Sequence, residues 1–366
     1  AAPDGYVTDQ EPQEFTFEYQ GSGTSVAEYA FTFEDEQTTV ELSKADLTDK
    51  KELPGASLKV TDEDGNTVDE WVSKEEAHII KGLIVGKKYK MTETKPADGY
   101  VTAESIEFTV ENTKEVQKHQ MLDDVTKVEI SKKDITDSSE VPGAKMIILD
   151  KDGKKVESWT STDKPHMVKK LPVGKYTLRE EQAPDGYLIA EDVKFTVKDT
   201  GKVQKVKMKD AHPYGKLVIK KTDSTSKAAL PGAEFELREK ESGEVVEKLV
   251  TDKTGTATSG KIPIATYKNG KVEKTVEYIL VETKAPNGYE LSSKKEEIRF
   301  EYKDGKTKVI EIVKEIKNTK SPSGSTPTGN SPKTGDSTNI WLPILLAVLS
   351  ACGIGGVIWY KKKKGN

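Results

Sequence analysis

The chain has 366 residues, 57 basic and 62 acidic side chains and a formal net charge of −5, which is too long for one ordinary domain and gives no reason to expect a nucleic-acid partner. Charged residues make up 33% and AVILMFWYC residues 34%, a balance that would suit disorder if the apolar residues were not gathered into alternating Val/Ile/Thr-rich runs, the mark of sheets with one wet face. The one cysteine, Cys352, excludes an intrachain disulfide.

Residues 1–36 match only the last part of a repeated unit, starting at Pro3-Asp4-Gly5-Tyr6, and their alternation places Phe31, Phe33 and Asp35 on one strand face. No signal peptide precedes Ala1, so the expectation is a fragment or processed form of an exported chain. Three fuller units follow. "ELPGA" (Glu52 to Ala56), "EVPGA" (Glu140 to Ala144) and "ALPGA" (Ala229 to Ala233) mark their starts, and "KPADGY", "QAPDGY" and "KAPNGY" end at Tyr100, Tyr187 and Tyr289. Equivalent positions recur about 90 residues apart, the size of a small domain and not of a solenoid turn. Asp-Gly pairs in "DEDGN" (Asp62 to Asn66) and "DKDGK" (Asp150 to Lys154) predict hairpin turns, and the extra residues of "TYKNGKVEKTVEY" predict a longer hairpin in the third unit. Closely spaced strands without helical periodicity predict an all-β chain of sandwiches over 37–124, 125–211 and 212–319.

A linker rich in Ser, Thr, Pro and Gly covers 320–336 and contains "SPKTG", Ser331 to Gly335. Residues 337–360 predict one transmembrane helix, because Ile340 to Tyr360 carries no charge and is long enough to cross a bilayer. Lys361 to Lys364, within the tail 361–366, form a basic stop that belongs on the cytoplasmic side, which leaves the rest of the chain outside.

The strands of the three units break the apolar pattern in the same way. Val40 and Leu42 share a face with Lys44, Val128 and Ile130 with Lys132, and Leu217 and Ile219 with Lys221. Glu93, Glu180 and Glu282 follow Tyr89 and Met91, Tyr176 and Leu178, and Tyr278 and Leu280 on their faces. Met121 is followed by Asp123, Met208 by Asp210 and Ile316 by Asn318. Buried charges are costly unless paired or neutralised. One reading is a buried Lys–Glu ion pair with a nearby acid, or a strand twist that lets each side chain reach water. The other is amide formation. Burial favours a neutral lysine amine and a protonated glutamate, which can polarise the Asp or Asn carbonyl and move protons. Folding then holds amine and carbonyl in contact. Recurrence of the same three residue types in three units favours the chemistry.

Nothing else suggests an enzyme. His78, His119, His166 and His212 are scattered without metal-ligand spacing, and His119, on the face of Met121, reads as a satisfied core histidine. The carboxylates of "DEDGN" lack the spacing of a calcium loop. No metal and no cofactor is expected. Trp71 and Trp159 read as core anchors, and Cys352 inside the span as inert.

Two resemblances sharpen this reading. "SPKTG", apolar span and basic tail, in that order, resemble the cell-wall sorting signal of Gram-positive surface proteins. That resemblance implies a sortase that cuts between Thr334 and Gly335 and joins Thr334 to peptidoglycan, with Ser331, Pro332 and Lys333 completing the motif; Ser331 stands where the family has Leu. It implies a secreted protein covalently attached to the wall after a transient membrane stage. "YILVETKAPNGY" (Tyr278 to Tyr289), with the Lys-x-Asp pairs at Lys44/Asp46, Lys132/Asp134 and Lys221/Asp223, resembles the E-box region of Gram-positive pilins and of Cna B-type, SpaA-like domains. That family implies tandem prealbumin-like sandwiches with first and last strands joined by an isopeptide bond. By position the bonds are Lys44–Asp123, Lys132–Asp210 and Lys221–Asn318, promoted by Glu93, Glu180 and Glu282, with Asp35 an orphan acceptor of the partial unit. The implied function is a rigid wall-anchored stalk that presents an upstream adhesive domain. An adhesin whose repeats bind host extracellular matrix, or a pilus subunit that binds its neighbours, is the alternative; "HPYGK" (His212 to Lys216) is a poor imitation of a pilin polymerisation motif.

Overall fold

The structure, a computed structural model, describes residues 2–8, 14–23, 26, 28–32 and 34–322. The SPKTG motif, the apolar span and the basic tail lie outside the described residues, as does Phe33. Every regular element that is described is a strand, and no helix there is long and apolar enough to cross a membrane.

Each unit is a pair of sheets. In unit one, Thr39–Asp46 lies between His78–Lys81 and Gln117–Asp123, while Ser57–Thr61 and Lys88–Lys95 form the centre of a second sheet edged by Thr67–Val72 and Ile106–Thr109. Unit two repeats the plan with Lys127–Asp134 between His166–Lys169 and Val203–Asp210, and with Lys145–Leu149 and Gly174–Gln182 at the centre of its second sheet. Unit three sets Tyr214–Asp223 against Val309–Asn318, and Glu234–Glu239 against Glu277–Lys284. Alternation turns Val40, Leu42, Leu58, Val60 and Met91 inward in unit one, and Leu217, Ile219, Phe235, Leu237 and Leu280 inward in unit three. The turns form where the Asp-Gly pairs predict them: Asp62 accepts a bond from the Asn66 amide at 2.8 Å while Gly65 takes a φ of 84°. The longer hairpin of unit three joins Ala265–Lys268 to Lys271–Thr275 through Asn269 and Gly270, both with positive φ.

One feature was not predicted from the alternation. The first and last strands of each unit run parallel, with Lys44 opposite Met121, Lys132 opposite Met208 and Lys221 opposite Ile316. The acceptor positions Asp123, Asp210 and Asn318 therefore lie two residues further along, opposite Asp46, Asp134 and Asp223. Two residues of strand span about 6.6 Å on one face, a distance an extended lysine side chain covers.

The partial unit departs from expectation. Tyr6–Val7 pairs with Glu36–Gln37, but Phe31 and Asp35 lie outside any strand and are exposed. Among the described residues no lysine strand runs beside them, and the aromatic side chains pack on one another instead, Phe17 against Tyr29 at 5.1 Å between ring centres.

Neighbouring units are docked. The buried Thr126, between units one and two, donates to the carbonyls of Leu171 at 2.6 Å and Gly99 at 3.3 Å, and Thr38 makes the matching bonds to Leu83 at 2.7 Å and Gly5 at 3.4 Å. Lys170 of unit two reaches the Tyr100 hydroxyl at 2.5 Å and Asp46 at 3.3 Å in unit one. At the next joint the extra hairpin stacks Tyr267 on His212, 3.4 Å between ring centres, and the Tyr267 hydroxyl donates to the Gly186 carbonyl at 2.8 Å. Gly99 has a φ of 84°, and a Cβ there would sit 2.4 Å from the Lys170 carbonyl oxygen. Gly99→Ala is therefore expected to destabilise the chain by about 1–3 kcal/mol and to loosen the first joint, as read from urea unfolding and small-angle scattering.

Candidate functional site

The predicted residues meet in all three units. Lys44, Glu93 and Asp123 keep 1%, 4% and 0% of their surface exposed, so strand twist does not carry them to water. Lys132, Glu180 and Asp210, and Lys221, Glu282 and Asn318, are buried to the same degree. The Lys44 amine lies 2.9 Å from Glu93 Oε1, Lys132 lies 2.9 Å from Glu180 Oε2, and Lys221 lies 3.0 Å from Glu282 Oε1. Each amine is also in direct contact with its acceptor: Lys44 with Asp123 Oδ1, Lys132 with Asp210 Oδ1 and Lys221 with Asn318 Oδ1. Asn318 Nδ2 donates to both Glu282 oxygens, at 3.0 and 3.1 Å.

Local backbone geometry aims the glutamates. Register shifts lie at Ser57/Leu58, Lys145/Met146 and Glu234/Phe235, and in each case the second residue is the strand partner of the glutamate. A bulge bends a strand and re-aims the side chains beside it. The glutamate is also held from behind. The amides of Ala103, Ala190 and Ser292, each ten residues further on, donate to Glu93, Glu180 and Glu282 at 2.7, 2.7 and 2.9 Å.

The electrostatics differ from the sequence expectation in where they are most evident. In units one and two the raised acid is the acceptor itself: burial, helped by the neighbouring glutamate and opposed by the lysine, pushes Asp123 and Asp210 up to about 7. In unit three, burial pulls the Lys221 amine down against the pull of Glu282. A neutral acid or amide in contact with a desolvated amine is the pairing that acyl transfer needs. Asp123 Oδ2 and Asp210 Oδ2 are buried with no hydrogen-bond partner, which carries a cost that loss of one acceptor oxygen as water would remove.

A second set of residues was present in the motifs but had no role assigned from sequence. Asp46, Asp134 and Asp223 are buried and accept hydrogen bonds from Tyr100, Tyr187 and Tyr289 at 2.6, 2.7 and 2.9 Å. Their signal was the repetition of Lys-x-Asp and Gly-Tyr at matching places in every unit. Burial alone would raise Asp134, but bonds from Thr136, Tyr187 and His212 outweigh it and hold the carboxyl at about 2.

The histidines are not assembled. Among the described residues no group of His, Cys, Asp or Glu is placed to hold a metal ion. His78 and His166 stack on Trp71 and Trp159 at 4.2 and 4.3 Å, so each tryptophan anchors the edge of its core. His119 is half-buried and stacks on Phe108 at 4.5 Å, and its shielded Nε2 has no hydrogen-bond partner, so it is held by ring packing and is not the satisfied core histidine expected. His212 Nε2 lies 2.8 Å from Asp134 Oδ2, a structural place at the joint.

A family description, SpaA prealbumin-like fold domain, matches residues 38–124, 126–212 and 215–316. No curated protein matches the chain. Among solved structures, the TIE protein of Bacillus anthracis is 28% identical, with 77% of this chain and 51% of that one covered and a TM-score of 0.52. This chain thus spans about half the length of that structure. BcpA, the major pilin subunit of Bacillus cereus, is 18% identical over 78% of this chain and 99% of its own, with a TM-score of 0.46. The full-length major pilin SpaD of Corynebacterium diphtheriae is 19% identical over 78% and 98%, with a TM-score of 0.37.

The depressed acid of unit two has a signed consequence. An Asp held below its ordinary value of 3.8 stabilises the fold fully above that pH and loses the effect as pH falls through about 2. Urea midpoints measured from pH 5 down to 2 should therefore fall less steeply in Asp134→Asn than in the parent, with both compared in a Glu180→Ala background.

Proposed function

Since this chain belongs to the SpaA family of prealbumin-like domains and carries three of them in tandem, we propose that it is a self-welded stalk held at the Gram-positive cell surface. In each unit the lysine amine attacks the acceptor carbonyl while the glutamate passes a proton to the leaving group. Lys44 with Asp123, and Lys132 with Asp210, form an amide and release water. Lys221 with Asn318 forms an amide and releases ammonia. The observation that carries this reading is the ninefold burial of charged and polar groups in three matching triads, with every amine on its acceptor.

The benefit is mechanical. Closing the 79-residue loop from Lys44 to Asp123 would stabilise unit one by about 4–5 kcal/mol on the loop-entropy model. Pull that enters on the first strand and leaves on the last then crosses a covalent bond, and the sandwich between need not open. Anchoring follows from the sorting-signal resemblance: a sortase joins Thr334 to peptidoglycan and Gly335 leaves with the span and basic tail. The stalk then presents whatever domain lies upstream.

Intact-mass measurement of the purified chain tests the weld. The expected mass is short by two waters and one ammonia, and Glu180→Ala should restore one water. A mass equal to that of the open chain would leave three buried ion-paired clusters and no weld.

A further inference from the structure

The Gly-Tyr loop that follows each glutamate strand touches that strand, the lysine strand and the residue just past the end of the acceptor strand. In unit three it leaves Glu277–Lys284, makes a turn in which the Tyr289 amide donates to the Pro286 carbonyl at 3.1 Å, and then makes three contacts. The Tyr289 hydroxyl donates to Asp223 on the lysine strand at 2.9 Å. The Glu290 amide donates to the carbonyl of Thr319, one residue past the acceptor, at 3.0 Å. The Ser292 amide returns to Glu282 at 2.9 Å. Unit two has the same set through Tyr187 to Asp134 at 2.7 Å, Leu188 to Ala211 at 2.9 Å and Ala190 to Glu180 at 2.7 Å. Unit one has it through Tyr100 to Asp46 at 2.6 Å, Val101 to Asp124 at 2.9 Å and Ala103 to Glu93 at 2.7 Å.

The chemistry of the loop explains which of its residues vary. Two of the three contacts use backbone amides, and there the side chain need not repeat: Val101, Leu188 and Glu290 at one place, and Ala103, Ala190 and Ser292 at the other. The third uses a side chain, and there every unit has tyrosine. Its acceptor also repeats as aspartate, two residues after the reactive lysine and directly opposite the acyl acceptor in the strand register. A loop that only filled space would need neither the hydroxyl nor the buried carboxylate.

We propose that this tyrosine–aspartate pair is a positioning device for amide formation, clamping the loop so that the glutamate carboxyl is held between amine and acceptor. The inference rests on the welding reading. The pair touches none of the reacting atoms and acts through the glutamate and the strand end. Displacing a catalytic group by about an ångström costs up to a hundredfold in rate, so loss of the clamp should slow the weld by roughly ten- to a hundredfold.

Unit three gives the test, because release of ammonia distinguishes its weld from the two that release water. The full chain is made in a cell-free system as wild type, Tyr289→Phe, Asp223→Asn and the double variant, and intact mass is followed with time. Hydrogen-exchange protection of Tyr214–Asp223 reports folding separately. The expected result is a protected strand in Tyr289→Phe, normal loss of two waters and a delayed loss of ammonia, with the double variant no slower than the slower single one. Ammonia loss at the wild-type rate in both single variants would overturn the positioning role and leave the weld intact. Wild-type chain that loses neither water nor ammonia would overturn the weld itself. Should Tyr289→Phe not fold, Asp223→Asn, which preserves shape, decides on the same readout.

Discussion

An ammonium group placed on the oily face of a strand governs everything around it. Isolated in such a setting the charge would cost more than most single interactions return, so a partner must be within reach and the amine must be neutralised, paired or consumed. The fold meets that demand by bringing a glutamate from the opposite sheet and an acid or amide from a parallel neighbour to the same point, three times over. Three other features serve this requirement: the parallel pairing of first and last strands, the bulge beside each glutamate, and the loop that returns to hold its carboxyl. The rest of each core is ordinary interdigitated Val, Leu, Ile, Met and aromatic packing.

Much of this was legible in the residues. Period-two alternation sets which side chains face inward, and a lysine two places after a buried isoleucine has no other face to occupy. Asp-Gly pairs announce hairpins because the turn needs positive φ, and Gly65 and Gly153 adopt it. What alternation does not encode is which strands lie side by side. Lys44 and Asp123 are 79 residues apart, and their parallel pairing depends on the packing of both sheets together. The bulges were hidden for the same reason, since they appear only as a mismatch between two strands.

The partners of the second aspartate show a different limit. Asp46, Asp134 and Asp223 were visible as part of Lys-x-Asp, yet a buried carboxylate on a strand end has many possible donors, and only the folded loop selects the tyrosine. The partial unit at 1–36 marks the converse case. Its alternation is as regular as any other, but among the described residues no strand includes Phe31 or Asp35, and both remain exposed. Pattern states what a segment is suited for, and neighbours decide whether that is realised.

The joints carry a consequence for orientation. Asp46 accepts from its own Tyr100 and from Lys170 of the following unit, and Gly99 leaves no room for a side chain against the Lys170 carbonyl. The second joint is closed by a ring stack and a hydroxyl bond from the extra hairpin. A chain joined by slack Gly/Ser tethers spreads only with the square root of its length, because each segment forgets the direction of the last. Here bonds and ring contacts cross each joint, so the turn of one sandwich against the next is set by folded surfaces and not left to a slack tether.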